Sequence, residues 1–332
     1  VRSSVFLPFN NLGLIIVDEE HETSYKQFDP APRYHARDLA VMMAYMQRAK
    51  TLLGSATPSL ESYFHALSGR YGLVNLHERY GQARLPEFIL VDTRTERKQR
   101  KMKEDFSSML LDYLERNLQQ GEQSILFQNR RGYSPYLQCD ECGHIAECAH
   151  CAVSLTYHHK AAEMRCHYCG YKEEVPRTCP ACGSPRVKTV GYGTEKLEDQ
   201  LQLFFPEARV LRMDLDTTRA KNAYQDIIQA FERGEVDILV GTQMISKGLD
   251  FDNVSLVGVF DADRIIHFPD FRASERAFQM ITKVSGRAGR RADTPGRVLI
   301  QTANPNQRLL QQIIDSDYKA LYESEIAERE KY

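Results

Sequence analysis

Two kinds of run alternate along this chain. Short, continuous apolar runs rich in β-branched residues stop abruptly at polar groups, and longer stretches place apolar residues three and four positions apart. The run LGLIIVDEE, ending on Asp18, Glu19 and Glu20, reads as a buried strand, and KTLLGSATPS at residues 50–59 reads as a second. Between them, RYHARDLAVMMAYMQRA has the length and spacing of a helix. Strand, helix, strand predicts a parallel pair, with the DEEH and GSATPS tails on the same edge, where open α/β sheets gather ligands.

Further on, the helical pattern FSSMLLDYLERNLQQG closes at Gly121 and leads into the strand QSILFQN. Beyond a cysteine-rich segment the alternation resumes. VKTVGYG, ARVLRMD, VDILVGT, VSLVGVFDAD and GRVLIQTANP read as strands, with helices at TEKLEDQLQLFF, AYQDIIQAFERG and from about Ala273. Regular βαβ units predict a second open parallel sheet, interrupted by the cysteine segment after its first strand. The expected divisions are residues 1–92, 93–137, 138–186 and 187–332.

A length of 332 residues fits two domains, or one domain with a large insertion. The apolar runs are too short to cross a bilayer and no signal leader opens the chain, so it is read as cytoplasmic, with no membrane partner. The net charge of −2 lacks the basic excess of many nucleic-acid binders, so any such binding must use local patches. In RTERKQRKMKED, residues 94–105, six cations sit among three acids. The stretch reads as a solvated linker at least as well as a phosphate contact.

All eight cysteines lie in four C-x-x-C pairs, Cys139/Cys142, Cys148/Cys151, Cys166/Cys169 and Cys179/Cys182. Eight thiols make two tetrahedral four-cysteine zinc sites with none left over. A disulfide cluster is the weaker reading for a chain taken as intracellular. The segment between Cys151 and Cys166 is long enough for a hairpin, which lets those two pairs share one ion. Cys139, Cys142, Cys179 and Cys182 would then hold the other. This nested arrangement is the expectation, although a sequential one also satisfies valence. With all four positions thiolate, neither site leaves room for water, so both zincs are structural. His144, His150 and His167 read as surface residues. Tyr157, Arg165, Tyr168, Tyr171, Lys172 and Arg177 suit single-stranded nucleic acid, a protein partner or a plain exposed ribbon.

At the end of a strand, Asp18 can hold Mg²⁺ and Glu19 can orient or deprotonate a water. Arg287 and Arg290 in QMITKVSGRAGR are free to point at an anion. Gly241, Thr242 and Gly248 follow a strand and let backbone amides approach a phosphate. Taken alone, each of these features is also compatible with ordinary surface structure.

In order along the chain, DEEH, GSATPS, ILFQNRRGY, GYGTEKLEDQL, GTQMISKGLDF and QMITKVSGRAGR resemble the motif set of the superfamily 2 DNA helicases. Four C-x-x-C pairs placed after NRRGY narrow the resemblance to the bacterial replication-restart helicases within them. It runs through essentially the whole chain. The resemblance implies two RecA-like α/β lobes, the first truncated, with a zinc-ribbon insertion in the second. It implies ATP-dependent, 3′ to 5′ translocation on DNA, remodelling of stalled forks and primosome assembly, with forked and single-stranded DNA, primosome proteins and single-strand-binding protein as partners.

By the same resemblance, Asp18 coordinates Mg²⁺, Glu19 activates water and His21 links hydrolysis to the nucleic-acid side. Ser55 and Thr57 would couple the lobes. Gly241, Thr242, Lys247, Gly248, Asp250 and Gln279 fall in the ATP and coupling motifs, and Arg287 and Arg290 complete the ATP site. HETSYKQFDPAPRYHARD resembles an aromatic-rich loop that senses single-stranded DNA, making Tyr25, Lys26, Phe28, Tyr34, His35 and Arg37 candidate contacts. The phosphate loop G-x-x-x-x-G-K-S/T has no counterpart, because no Gly-Lys pair occurs in the chain. The chain is therefore expected to be a fragment that hydrolyses ATP poorly or not at all by itself. The competing readings are an RNA translocase with a zinc insertion and a non-catalytic zinc-ribbon scaffold.

Overall fold

The computed structural model describes the chain except for residues 1, 77–84, 130–135, 152, 159–162, 167, 191–193, 215–216, 219–221, 247–250, 290–294 and 332. It divides into two compact units, Val1–His77 and Glu78–Tyr332.

In the first unit, β1 (Leu14–Asp18), α1 (Ala36–Met46), β2 (Lys50–Gly54) and α2 (Leu60–Leu67) follow in order. The strands are parallel, with Asp18 opposite Gly54, so both polar tails leave the same edge as the pattern predicts. Helix α1 buries Ala36, Ala40 and Ala44, a stripe of small residues at helical spacing. Val17 is buried in β1, but Leu14, Ile16 and Leu52 are 53, 63 and 56% exposed. The expectation that β1 is a buried strand thus holds only for the face carrying Val17.

The second unit is built on β3 (Glu87–Asp92), α3 (Thr93–Lys98), α4 (Ser108–Gln120), β4 (Gln123–Phe127), β5 (Tyr136–Cys139), β6 (Thr156–His158), β7 (Glu163–Arg165), β8 (Lys172–Glu174) and β9 (Val187–Val190). It continues with α5 (Thr194–Phe204), β10 (Val210–Met213), α6 (Ala223–Glu232), β11 (Ile238–Gly241), β12 (Val254–Val259), α7 (Ala262–Ile266), α8 (Ala273–Ser285), β13 (Arg297–Thr302), α9 (Arg308–Ile314) and α10 (Tyr318–Arg329). Six of these strands form one parallel sheet in the order β10-β11-β4-β12-β13-β3. Every residue of β4 is buried, as expected for a central strand covered on both faces. Alternate residues serve opposite layers. Ile125 and Phe127 join the core formed with α6, α8 and α9, and Leu126 joins the core formed with α4 and α5.

Two expectations from the sequence change here. The pattern assigns residues 87–92 to the end of the first domain, but β3 pairs along its whole length with β13 and is the edge strand of the second sheet. VKTVGYG has the pattern of a strand in the parallel sheet. Its described part, β9, instead pairs antiparallel with β5, and together they form the stem of the cysteine-rich insertion.

The insertion consists of that stem and an antiparallel meander of β6, β7 and β8. Its sulfurs fall into two groups, Cys139, Cys142, Cys179 and Cys182, and Cys148, Cys151, Cys166 and Cys169, each with all Sγ atoms within 4.8 Å of one another. This is the nested arrangement. Sγ–Sγ distances of 3.6 Å for Cys139–Cys182, Cys142–Cys179 and Cys148–Cys169 are far beyond a disulfide bond. They approach the edge of about 3.8 Å that a tetrahedron with bonds of about 2.3 Å requires, so the donor sets fit zinc. Gly143, Gly170 and Gly183, each directly after a knuckle, have φ values of +75, +76 and +73° and close the turn in the left-handed conformation.

The charged stretch after β3 is not a free linker. Asp92 caps α3 by accepting from the amides of Arg94 and Thr95. From α3, Arg97 pairs with Asp140 at 3.3 Å and Lys98 with Glu141 at 3.3 Å. On the other side, Lys188 pairs with Asp140 at 2.6 Å and Arg186 with Glu141. The two acids of the first knuckle are thus held between four cations. The stem also roofs a cavity of about 90 Å3 at the carboxyl ends of β4, β12 and β13, lined by Gln128, Gln138, Lys188, Asp261 and Thr302.

Asp261 lies at that edge with φ +47° and caps α7 by accepting from the Arg264 amide. Tyr136 of the stem donates its hydroxyl to it at 3.4 Å. Burial, reinforced by the Asp263 charge, raises its carboxyl to about 6. Asp263 is buried and accepts from Thr302 Oγ1 at 3.0 Å, Ala303 N at 2.6 Å and Asn304 Nδ2 at 3.1 Å. Asn304 Nδ2 also reaches Gly143 O at 3.2 Å, tying the first knuckle to the end of β13.

Metal analysis should find two zinc ions per chain. Replacing Cys142 and Cys179 together by Ser should remove one, whereas replacing Cys142 and Cys148 should remove both; the reverse outcome would exclude the nested sites. A second expectation concerns Asp261. The folded state keeps its proton up to about pH 6, whereas an unfolded carboxyl loses it near about 3.9. Its contribution is therefore complete below the lower value and lost as pH rises toward the upper one. Asp261→Asn keeps the cap and tolerates positive φ. Thermal unfolding should show it gaining on the order of 1 kcal/mol at pH 7.5, discounted for partial exposure, and nothing at pH 4.

Candidate functional site

In the first unit, Asp18 ends β1 and accepts the Glu19 amide on Oδ1 at 2.9 Å. Glu19 has φ +47°, a left-handed conformation that a non-glycine residue adopts only under constraint. The Glu20 amide bonds Gly54 O at 3.1 Å, which carries the main chain of the turn across to β2. His21 Nδ1 lies 2.7 Å from Ser55 Oγ and 3.5 Å from Glu19 Oε2. Ser55 Oγ in turn accepts the amide of the buried Thr57 at 3.0 Å. The sequence candidates Asp18, Glu19, His21, Ser55 and Thr57 are therefore brought together at one sheet edge.

Sequence reasoning missed the group beneath them. Glu20 is 1% exposed. Its Oε1 accepts Ser59 N at 2.6 Å, and its Oε2 accepts Ser59 Oγ at 3.1 Å, Ser62 Oγ at 2.9 Å and Arg37 Nη1 at 2.8 Å. Ser59 is also the N-cap of α2, accepting the Ser62 amide. The available signal was the Ser at a helix start, three residues ahead of a second Ser.

The aromatic-rich loop divides by environment. Phe28 is 64% exposed. Tyr25 donates its hydroxyl to Asp18 O at 2.7 Å, and Tyr34 packs edge-on against Phe6 with centroids 4.8 Å apart. Lys26 Nζ donates to Arg33 O at 3.0 Å, while its backbone bridges to His35. Burial and the neighbouring Arg37 charge push His35 below its ordinary value, favouring the neutral ring. Arg37, expected as a DNA contact, turns inward with its side chain 11% exposed and pairs with Glu20. Burial opposes its charge, yet hydrogen bonds to Glu20 and Asp38 raise its pKa.

In the second unit, Gly241 ends β11, and the buried Thr242 gives its amide to Met213 O at 3.3 Å. Gln279 is buried on α8, and Arg287, 8% exposed, follows the end of that helix. Gly289 and Gly296 approach so closely that a β-carbon on either would collide with the other's backbone, and the Gly289 amide bonds Val254 O at 2.8 Å. This contact fixes the turn of the SGRAGR motif after Arg287. Lys247, Gly248, Asp250 and Arg290 lie outside the described residues, as do His167, all of GYG at 191–193 and all of NRRGY beyond Asn129. On the ribbon, Lys172 pairs with Glu163 at 3.0 Å, and Tyr168, 51% exposed, meets Phe271 edge-on at 6.1 Å. Among the described residues, no helix is long and apolar enough to cross a membrane.

Residues 148–173 match the PriA DNA helicase Cys-rich region domain, and residues 184–292 match the helicase conserved C-terminal domain. The replication restart protein PriA of Bacillus subtilis is 48% identical over 99% of this chain and 40% of its own length. The PriA proteins of Chlamydia pneumoniae and Haemophilus influenzae are 44% and 43% identical over 99% and 96% of this chain, covering 44% and 43% of their own lengths. The chain thus spans less than half the length of these relatives. A solved structure of RecG bound to a three-way DNA junction aligns over 96% of this chain and 30% of its own, with a TM-score of 0.50 and 15% identity, a likeness of fold alone. The RecA-like parallel sheet, the interrupting pair of four-cysteine sites and the near-complete alignment converge on one conclusion: the chain belongs to the PriA family of replication restart proteins.

Proposed function

We propose that this chain is the motor segment of an ATP-dependent, 3′ to 5′ DNA helicase that remodels stalled replication forks and initiates primosome assembly in the cytoplasm. The observation that carries this reading is 48% identity to a replication restart protein across 99% of the chain. The clustering of Asp18, Glu19, His21, Ser55 and Thr57 supports it. In this reading Asp18 binds Mg²⁺, Glu19 activates the attacking water, and His21 passes the state of the nucleotide to Ser55 and Thr57. Gly241, Thr242, Lys247, Gly248, Asp250 and Gln279 serve the coupling motifs, and Arg287 and Arg290 stabilise charge on the transferring phosphoryl group. Phe28, with Tyr25, Lys26, Tyr34 and His35 behind it, meets single-stranded DNA. Forked DNA, primosome proteins and single-strand-binding protein are the partners.

Both zinc centres are structural in this reading. Four thiolates complete each coordination sphere and leave no position for a substrate or water.

Without a G-x-x-x-x-G-K-S/T loop the 332-residue chain should not turn over ATP, even with DNA added. Measurable DNA-stimulated hydrolysis by the chain alone would contradict this. In a protein of its relatives' full length, Glu19→Gln should lower DNA-stimulated ATP hydrolysis by about a hundredfold or more with nucleotide binding retained. Arg287→Ala should cost about a thousandfold. Strand separation should be measured on forked DNA and on forked RNA; unwinding of RNA alone would replace the DNA assignment.

A further inference from the structure

We infer that Arg37 is a positioning residue for ATP hydrolysis, locking Glu20 so that the neighbouring Glu19 keeps its left-handed backbone. This rests on the reading of Glu19 as the residue that activates water. Glu20 cannot share that task, because its two oxygens already accept four hydrogen bonds inside a closed cage. Glu19 differs. Its carboxylate side chain is 37% exposed and its φ is +47°. A strained backbone of this kind persists only where its neighbours are over-determined.

Both neighbours are. Ahead of Glu19, the Asp18 carbonyl accepts the Tyr25 hydroxyl at 2.7 Å. Behind it, the Glu20 amide is bonded to Gly54 O and its carboxylate is held from α1 and from the start of α2. Arg37 closes the cage. Its Nη1 lies 2.8 Å from Glu20 Oε2 and 2.6 Å from Ser59 Oγ, and its Nε donates to Asp38 at 2.8 Å. It is the cation facing a carboxylate that is 1% exposed, so its loss leaves a buried anion uncompensated. Glu20 would then shift toward water, and the turn bearing Glu19 would move with it.

The test uses the full-length protein. Arg37→Met should lower kcat for DNA-stimulated ATP hydrolysis by about ten- to a hundredfold, the cost of a small misplacement of a catalytic group. KM for ATP and the affinity for single-stranded DNA should stay within about twofold. The double variant Arg37→Met/Glu20→Gln removes both charges and should recover part of kcat. If Arg37→Met does not fold, Arg37→Lys keeps the charge but not the planar fork, and it should still lower kcat at constant KM. Unchanged kcat in the variant that folds overturns the proposal. Loss of DNA affinity with kcat intact at saturating DNA also overturns it, and makes Arg37 a DNA contact. An inactive unmodified protein would instead refute the helicase reading.

Discussion

A carboxylate withdrawn from water has to be surrounded by donors, or it does not remain charged. In each unit one buried acid meets that demand by drawing separate elements onto itself. Glu20 gathers the end of β1, the start of α1 through Arg37 and the start of α2 through Ser59 and Ser62. Asp263 gathers the start of α7 and the end of β13, and through Asn304 it reaches the first zinc knuckle. The cost of leaving either acid short of donors fixes the polar edge of its sheet more tightly than apolar packing alone would, since apolar contacts are not directional.

The two metal sites are consequently unequal in their surroundings. Knuckle residues Asp140, Glu141 and Gly143 of the outer site bond to α3, to β9 and its preceding residue, and to Asn304. That site is built into the second unit. The inner site instead organises its own small core, with Val153, Leu155 and Met164 around Cys148 and Cys166. So small a core is marginal without cross-links, and metal ligation supplies them.

Much of this was legible in the sequence. Apolar runs and helical spacing located β1, β2 and five of the six strands of the second sheet, and the strand-helix-strand order with parallel pairing placed DEEH beside GSATPS. Loop length between Cys151 and Cys166 gave the nested sulfur sets, because a hairpin of that length brings its ends together. What stayed hidden depends on pairings distant in the chain. EFILVD follows the first unit in order but joins β13, more than two hundred residues later. VKTV has the alternation of a strand, and alternation does not distinguish a parallel from an antiparallel partner. The cations of α3 look like those of a solvated linker until Asp140 and Glu141 are seen opposite them.

Residue type likewise underdetermines role. Glu19 and Glu20 are identical and adjacent, yet one side chain is 37% exposed on a strained turn and the other is 1% exposed among four donors. The first keeps its carboxylate in contact with solvent and the second does not. Two positions apart in the second unit, Asp261 is pushed toward the neutral acid by burial and its neighbour's charge, whereas Asp263 is satisfied by two side chains and a backbone amide. In both pairs the acid with the full set of donors ties elements together, and its neighbour is the more exposed of the two. A strand end carrying acids in close succession therefore supplies an anchor and a more accessible carboxylate together, and the count of inward donors tells which is which.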